Sequence, residues 1–413
     1  MLRIGTSLAK AGFEVWLVGR QLPDSQPFDN PYIKSHRFSL FFNKGKLFYI
    51  EYNIRLFFWL WAQRFDIIGG IDLDSILPCY FSAKIKNILR GGVWLIAFPL
   101  TLWESFKFPE RLPKIKIIYD AHELFSETPE VVRRPMIRRV WLAIERFVVP
   151  KVDAAYTVSQ SVADEFERRY RRRFGLIRNL PMRDVVIRPI DRVIQPIDEV
   201  IQPIDGVIQN HPVNIPIKQS NAENSSFIIH HSSLPKVILY QGALNEGRGL
   251  ETAIEAMQYV ENAEFWLIGE GDLSQILRGS VERLGLQEKV KFLGFIVPDE
   301  LPFYTAKADI GIHISEDKGL SYRYSLANKF LDYIQSEVPQ ICTQFPEYQR
   351  LNAQYNVGIL IEKTDIQLLV FALNRFLNDE VFYQQIKENC RRAAVELCWE
   401  KEEERLIDLY RNI

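Results

Sequence analysis

The sequence predicts an α/β protein made of two doubly wound parallel sheets that face each other across a cleft. Three observations carry this. Strand-like apolar runs alternate with amphipathic stretches of helical spacing in two separate series. A Pro-bearing repeat lies between the series. The length, 413 residues, exceeds what one core usually serves. A formal net charge of −1 conceals an asymmetry: residues 1–180 carry an excess of ten positive charges, the remainder an excess of eleven negative ones. A basic half suits an acidic partner such as an anionic membrane surface or a phosphorylated substrate. Its cations are scattered and no aromatic stacking motif accompanies them, so no nucleic acid is expected.

The first series begins with LRIGTSLAKAG, an amphipathic helix that Gly12 stops. FEVWLVG is a strand, FDIIGGID a second, and SILPCYFSAKIKNIL a helix. The strand IKIIYD follows, then the helix PMIRRVWLAIERFVV, with Pro135 near its start. DAAYTVS is a short strand, and Ser159 is placed to cap the helix SVADEFERRY. Residues 186–209 repeat the unit Val-Ile-x-Pro-Ile-Asp-x. Proline in every copy rules out a coiled coil, so 182–235 reads as an extended linker. The second series runs KVILYQG (strand), GLETAIEAMQYV (helix), AEFWLIGEG (strand), DLSQILRGSVERLG (helix) and KVKFLGF (strand). It continues through LPFYTAKA (helix), DIGIHIS (strand), LANKFLDYIQSE (helix) and PQICT (strand). The domains are therefore 1–181 and 236–395, with a last helix at 396–413 that packs back on the first domain.

Four cysteines without paired spacing fit a reduced, cytoplasmic chain with no metal cluster. Two apolar stretches stand apart. Residues 47–61 are rich in aromatics, and 91–103 are uncharged with Trp94 and Trp103 at their ends. The latter is too short to cross a bilayer, which takes roughly 20 residues. Each is read either as core or as a segment lying on the inner face of the cytoplasmic membrane.

Ligands of open α/β sheets bind beyond the carboxyl ends of strands. His122 lies just past one such end, in YDAHELF, and reads equally as a site residue or as a loop histidine paired with a carboxylate such as Glu123. YQGALNEGRGLETA sets Gly247, Arg248 and Gly249 between a strand and a helix, where backbone can approach a phosphate and Arg248 can clamp it. LIGEGDL sets Gly269 and Gly271 at the next strand end. A helix over 326–337 offers free N–H groups, with Lys329 in its first turn against the usual dipole preference. Asp332, a turn on, is placed to accept from a sugar diol. As turns and a solvated helix face, these features need no ligand; together they point to a nucleotide diphosphate.

In order and spacing, YDAHELFSE, VDAAYTVSQSVADEFERRY, RNLP, YQGALNEGRGLETAIEAM, LIGEGDL, VKFLGF and GLSYRYSLANKFLDYIQSEVP resemble glycosyltransferase family 4, of GT-B fold. The resemblance implies two Rossmann-like domains, an N-terminal one for the acceptor and a C-terminal one for a nucleotide sugar. It implies transfer with retention and no metal or cofactor at the chemical step. His122 matches the cleft histidine near the transferred sugar. Arg248 matches the cation that neutralises the donor diphosphate, and Gly269 and Gly271 match a Gly-x-Gly loop beside the nucleotide. Asp332 falls where the second acid of a Glu-x7-Glu motif contacts the ribose, and Tyr324 where the first would fall. Asn328 and Lys329 match a subgroup of this motif, and Ala243 stands where many members have Arg. Family members open with a strand and a Gly-rich loop, whereas Met1 here already enters the first helix, so the first domain is expected to lack its first strand. The implied role is sugar transfer to a glycan or lipid-linked acceptor in cell-surface polysaccharide assembly. A non-catalytic GT-B subunit that regulates or scaffolds an active partner is the alternative. A nicotinamide-dependent oxidoreductase is disfavoured, because no Gly-x-Gly-x-x-Gly with an acid ~20 residues on is present.

Overall fold

β-Branched and aromatic runs set the strands. Those of the N-terminal part are β1 (Val15–Gln21), β2 (Ile33–Ser39), β3 (Ile67–Ile71), β4 (Lys116–Ala121), β5 (Ala154–Thr157) and β6 (Gly175–Leu176). Those of the C-terminal part are β7 (Lys236–Gln241), β8 (Ala263–Ile268), β9 (Val290–Gly294), β10 (Ile310–His313), β11 (Gln340–Thr343) and β12 (Gly358–Ile361). The computed structural model describes residues 1–23, 25, 27–92, 113–183 and 235–413, with no side-chain detail at 91 and 92. The heptapeptide repeat and most of the 91–103 stretch lie outside the described residues.

The C-terminal part forms one six-stranded parallel sheet of order β12-β11-β10-β7-β8-β9. Its strand order reverses between β7 and β10, which opens a crevice at their carboxyl ends. β7 is buried on both faces, as a central parallel strand must be: Ile238, Leu239 and Tyr240 are each at most 1% exposed. The N-terminal part carries a parallel pair, β1–β2, and a four-stranded parallel sheet, β3-β4-β5-β6. Among the described residues no strand joins the two sheets. Two Rossmann-like domains therefore face each other. β2, β6 and β12 are additional to the strands the sequence predicts: His36 and Arg37 blur the alternation of the first, and the others have only two and four residues.

The last helix, Trp399–Arg411, packs against the first, Leu2–Lys10. The Trp399 indole N–H donates to Ser7 Oγ (2.9 Å), and Ser7 Oγ donates to Glu403 (2.7 Å). Glu402, 1% exposed, pairs with Arg178 at 3.0 Å. The chain thus closes back on its N-terminal half. Direct bonds also join the domains. Ser159 Oγ donates to the Tyr324 carbonyl (2.7 Å), the Ser161 N–H to Glu347 (2.7 Å), and Arg133 pairs with Glu246 (2.8 Å).

Candidate active site

At the switch point, a cavity of about 800 Å³ lies between the domains. Arg3, His122 and Asn179 line it from one side; Gln241, Arg248, Asn328, Lys329 and Asp332 line it from the other. β4 delivers His122. Its backbone N–H donates to Asp72 Oδ1 (2.9 Å), and its Nε2 lies 3.3 Å from Asp120 Oδ1. Asp120 is itself fixed by the Tyr156 hydroxyl, which donates to Oδ2 at 2.8 Å. The carboxylate against the imidazole is therefore Asp120, not Glu123; Glu123 instead lies 3.5 Å from the Ser321 hydroxyl across the domain boundary. Asp120 is two residues earlier on the same strand, so the pleat returns it to the imidazole's side. Asp72 has φ 52°, a left-handed conformation that Asp tolerates. Burial lowers the affinity of His122 for its proton, but the Asp120 contact and the Asp72 charge outweigh it and raise the pKa. Burial pushes Asp72 up to about 7.

The opposite wall is cationic. The Lys329 ammonium sits 3.6 Å from the Tyr240 ring centroid, and the Arg248 guanidinium 4.6 Å from that of Tyr322. Neither makes an ion pair or hydrogen bond among the described residues. Burial, reinforced by the Arg248 charge, holds the Lys329 pKa well below its ordinary value. Asp332 is pushed up to about 6 by burial, against the pull of Arg3, Gln241 and Lys329. Gln241 fixes it: Nε2 donates to Asp332 Oδ2 (3.0 Å) while Oε1 accepts from Thr305 (2.7 Å). The helix starts at Asn328, two residues later than expected, because Ala327 is extended (ψ 138°), and the Ala327 N–H donates to the Tyr348 hydroxyl (3.2 Å). An anion entering here meets a guanidinium and an amine that no carboxylate bonds, and its charge favours the protonated amine.

The N-terminal residues match the family model described as Glycosyltransferase Family 4 over 1–180, and the later ones match Glycosyl transferases group 1 over 221–393. This chain belongs to glycosyltransferase family 4. The glycosyltransferase is similar to sucrose-phosphate synthase from Thermosynechococcus elongatus, with a TM-score of 0.71 and 17% identity over 99% of this chain and 91% of that one. It is similar to Anabaena HepE, solved with UDP and glucose, with a TM-score of 0.63 and 15% identity over 92% of this chain and 87% of that one. These likenesses show the GT-B fold. An uncharacterized glycosyltransferase of Methanocaldococcus jannaschii is 24% identical over 182 residues, a stretch covering 43% of this chain and 45% of the relative.

Of the residues singled out in the sequence of this glycosyltransferase, His122, Arg248, Asn328, Lys329 and Asp332 line one cavity. Tyr324 does not; it packs on the first domain's core, its carbonyl held by Ser159. The glycines are also outside the lining, and their nearest neighbours are protein. A Cβ on Gly249 would lie 2.2 Å from the Ile314 carbonyl, and one on Gly269 2.2 Å from that of Gly242. Gly247 backs onto Lys318 and Tyr322, and Gly271 onto Asn245. They let the loops nest and so position Arg248 indirectly. Sequence reasoning missed Arg3 and Asn179. Arg3 donates to the Leu180 carbonyl, and its charge reaches Asp332; Asn179 donates to Asn328 Oδ1 at 3.0 Å. The one signal for Arg3 was a cation at the start of a helix that begins a doubly wound domain.

Proposed function

We propose that this chain is a retaining glycosyltransferase that moves a sugar from a nucleotide-diphosphate sugar to a glycan or lipid-linked acceptor, in cell-surface polysaccharide assembly at the inner face of the cytoplasmic membrane. The observation that carries the reading is a pair of basic side chains without an ion pair, Arg248 and Lys329, in an interdomain cavity at the switch point. Breaking a glycosyl–phosphate bond leaves positive charge on the sugar and negative charge on the departing diphosphate. Arg248, Lys329 and the first N–H groups of the helix Asn328–Gln335 stabilise that anion by preorganised electrostatics. Asp332, oriented by Gln241, accepts from the ribose hydroxyls. His122, oriented by Asp120 and Asp72, holds a hydroxyl of the transferred sugar from the facing domain. With the cations in the metal's usual role, no cofactor enters the step. The nucleotide in the HepE structure supports UDP as the first nucleotide to try.

The test is turnover of UDP-sugars with a short glycan or glycolipid acceptor, read as UDP release and as the anomeric coupling of the product by NMR. The reading expects a product of the donor's own anomeric configuration, unaffected by a chelator. It expects Arg248→Ala and Lys329→Ala to lower turnover about 100-fold or more, as loss of one charge-stabilising group typically does. Inversion of the product, or full turnover by both variants, contradicts it.

A further inference from the structure

The first domain turns an apolar face outward. In the helix Gly45–Ala62, Leu56 and Leu60 are buried, while Leu47, Ile50, Ile54, Phe58 and Trp61 are 39–63% exposed. Spacings of three and four residues put these five on a single stripe, directly opposite the buried pair. This is the reverse of an ordinary surface helix. The stripe has company. The adjoining helix Asp72–Gly92 exposes Phe81 and Ile88, and beside that Pro135–Val148 exposes Met136 and Val140, the latter pair at 77% and 58%. Ahead of the stripe, the N–H groups of Phe41 and Phe42 donate to the Glu51 carboxylate at 3.0–3.1 Å, which pins a loop whose Phe41 ring is 85% exposed. Apolar surface on this scale is uncommon on a protein with nothing docked there.

The exposed charges on these helices are mostly basic, with Asp66, two residues past Arg64, an exposed acid nearby. Lys44 and Lys46 precede the stripe, Arg64 follows it, and Lys84 and Arg139 lie within the neighbouring helices. All five are exposed and none has an ion-pair partner among the described residues. Glu51, the one acid in Gly45–Ala62, is occupied by the loop amides and Arg55. In Pro135–Val148 the one acid, Glu145, is fully buried.

We propose that this face is a docking surface for an anionic lipid bilayer, with the helix Gly45–Ala62 lying along the interface, its stripe in the acyl boundary and the cations on the headgroups. A helix of 18 residues spans about 27 Å, long enough for all five apolar side chains to enter together. No helix among the described residues is long and apolar enough to cross a membrane. The inference deepens the proposed function, because it puts the acceptor domain where a lipid-linked acceptor is held. Membrane binding itself does not depend on that reading.

The experiment is co-flotation of the full chain with vesicles of phosphatidylcholine alone and of phosphatidylcholine mixed with phosphatidylglycerol, at low and high salt. Wild type is expected to float with the anionic vesicles and to be released by salt. Ile54→Glu/Phe58→Glu should bind them about tenfold more weakly or worse, with UDP affinity and melting temperature unchanged. Lys44→Gln/Lys46→Gln should weaken anionic binding alone. Arg248→Ala should float as wild type does, which separates this surface from the donor site. Absence of flotation at low salt, or undiminished flotation of the Ile54/Phe58 variant, overturns the proposal. So does a wild-type dimer in sedimentation that this variant converts to monomer, because the face would then be covered by a second copy.

Discussion

Lys329 lies in the first turn of its helix, where the dipole disfavours a cation, in a partly buried position with an aromatic face as its neighbour. An anion in the cavity relieves all of this and favours the charged form. Nucleotide binding above neutral pH should therefore take up protons, measured by calorimetry in two buffers of different ionisation enthalpy. Lys329→Met should abolish the uptake. Asp332 gives a prediction of opposite character. Burial raises its folded pKa to about 6, above the ordinary 3.8 of a free Asp. The folded state thus holds the proton more tightly, and stability falls as pH rises from about 4 to about 6. Relative to Asp332→Asn, wild type should lose roughly 1–3 kcal/mol over that window in urea denaturation. For His122 the raised pKa means stabilisation that is present below the unfolded value and lost as pH rises through the folded one. Asp120→Asn removes the contact that opposes burial, so the His122 pKa should drop in an NMR titration. An unchanged value would mean that Asp120 does not set it.

At the scale of elements, the loops after β7 and β8 act as a pair. Gly269 has φ +123° and Gly249 φ +71°, conformations that L side chains rarely adopt, and both pack on a carbonyl oxygen. Gly249→Ala would have to move Ile314, and with it the turn that carries Arg248. A loss of about 2–4 kcal/mol in stability is expected, with nucleotide affinity falling in the folded fraction. Urea midpoints and calorimetry read the two effects separately. These elements also show what was legible beforehand. β4, β7, β8 and β10 were plain in the sequence because central parallel strands are continuous apolar runs. His122, Arg248, Lys329 and Asp332 stood out because charge just past a strand end, or early in a helix, is locally unusual. Tyr324 was misplaced because the sequence does not show that helix Leu320–Arg323 turns this segment toward the first domain. Arg3 and Asn179 went unseen because only the closed fold sets them, from opposite ends of the first domain, beside Asp332 and Asn328. The stripe on Gly45–Ala62 was visible as aromatic content, but which side faced the core was decided by packing.

At the scale of the molecule, hydrogen bonds join the two halves, and the last helix is held on the first domain. Glu402 is buried and held by Arg178, and it sits on the helix that returns to the first domain. Glu402→Ala leaves that guanidinium without its anion, and a destabilisation of about 3–5 kcal/mol is expected, concentrated in the first domain when followed by hydrogen exchange. Uniform loss of protection in both domains would show that the last helix couples them as one unit. Across the cleft, Arg133 and Glu246 make a surface pair whose worth is small and falls with salt, so more of the contact between the domains rests on the Ser161–Glu347 and Ser159–Tyr324 hydrogen bonds. We propose this cavity as a donor site whose anion is supplied by a nucleotide diphosphate. The most direct measurement is calorimetric titration of UDP into wild type and into Arg248→Ala, Lys329→Ala and the double variant. The account predicts saturable binding by wild type and a loss of about 1.5–3 kcal/mol in each single variant, with the double variant weaker than either. Binding by the double variant equal to wild type would contradict it.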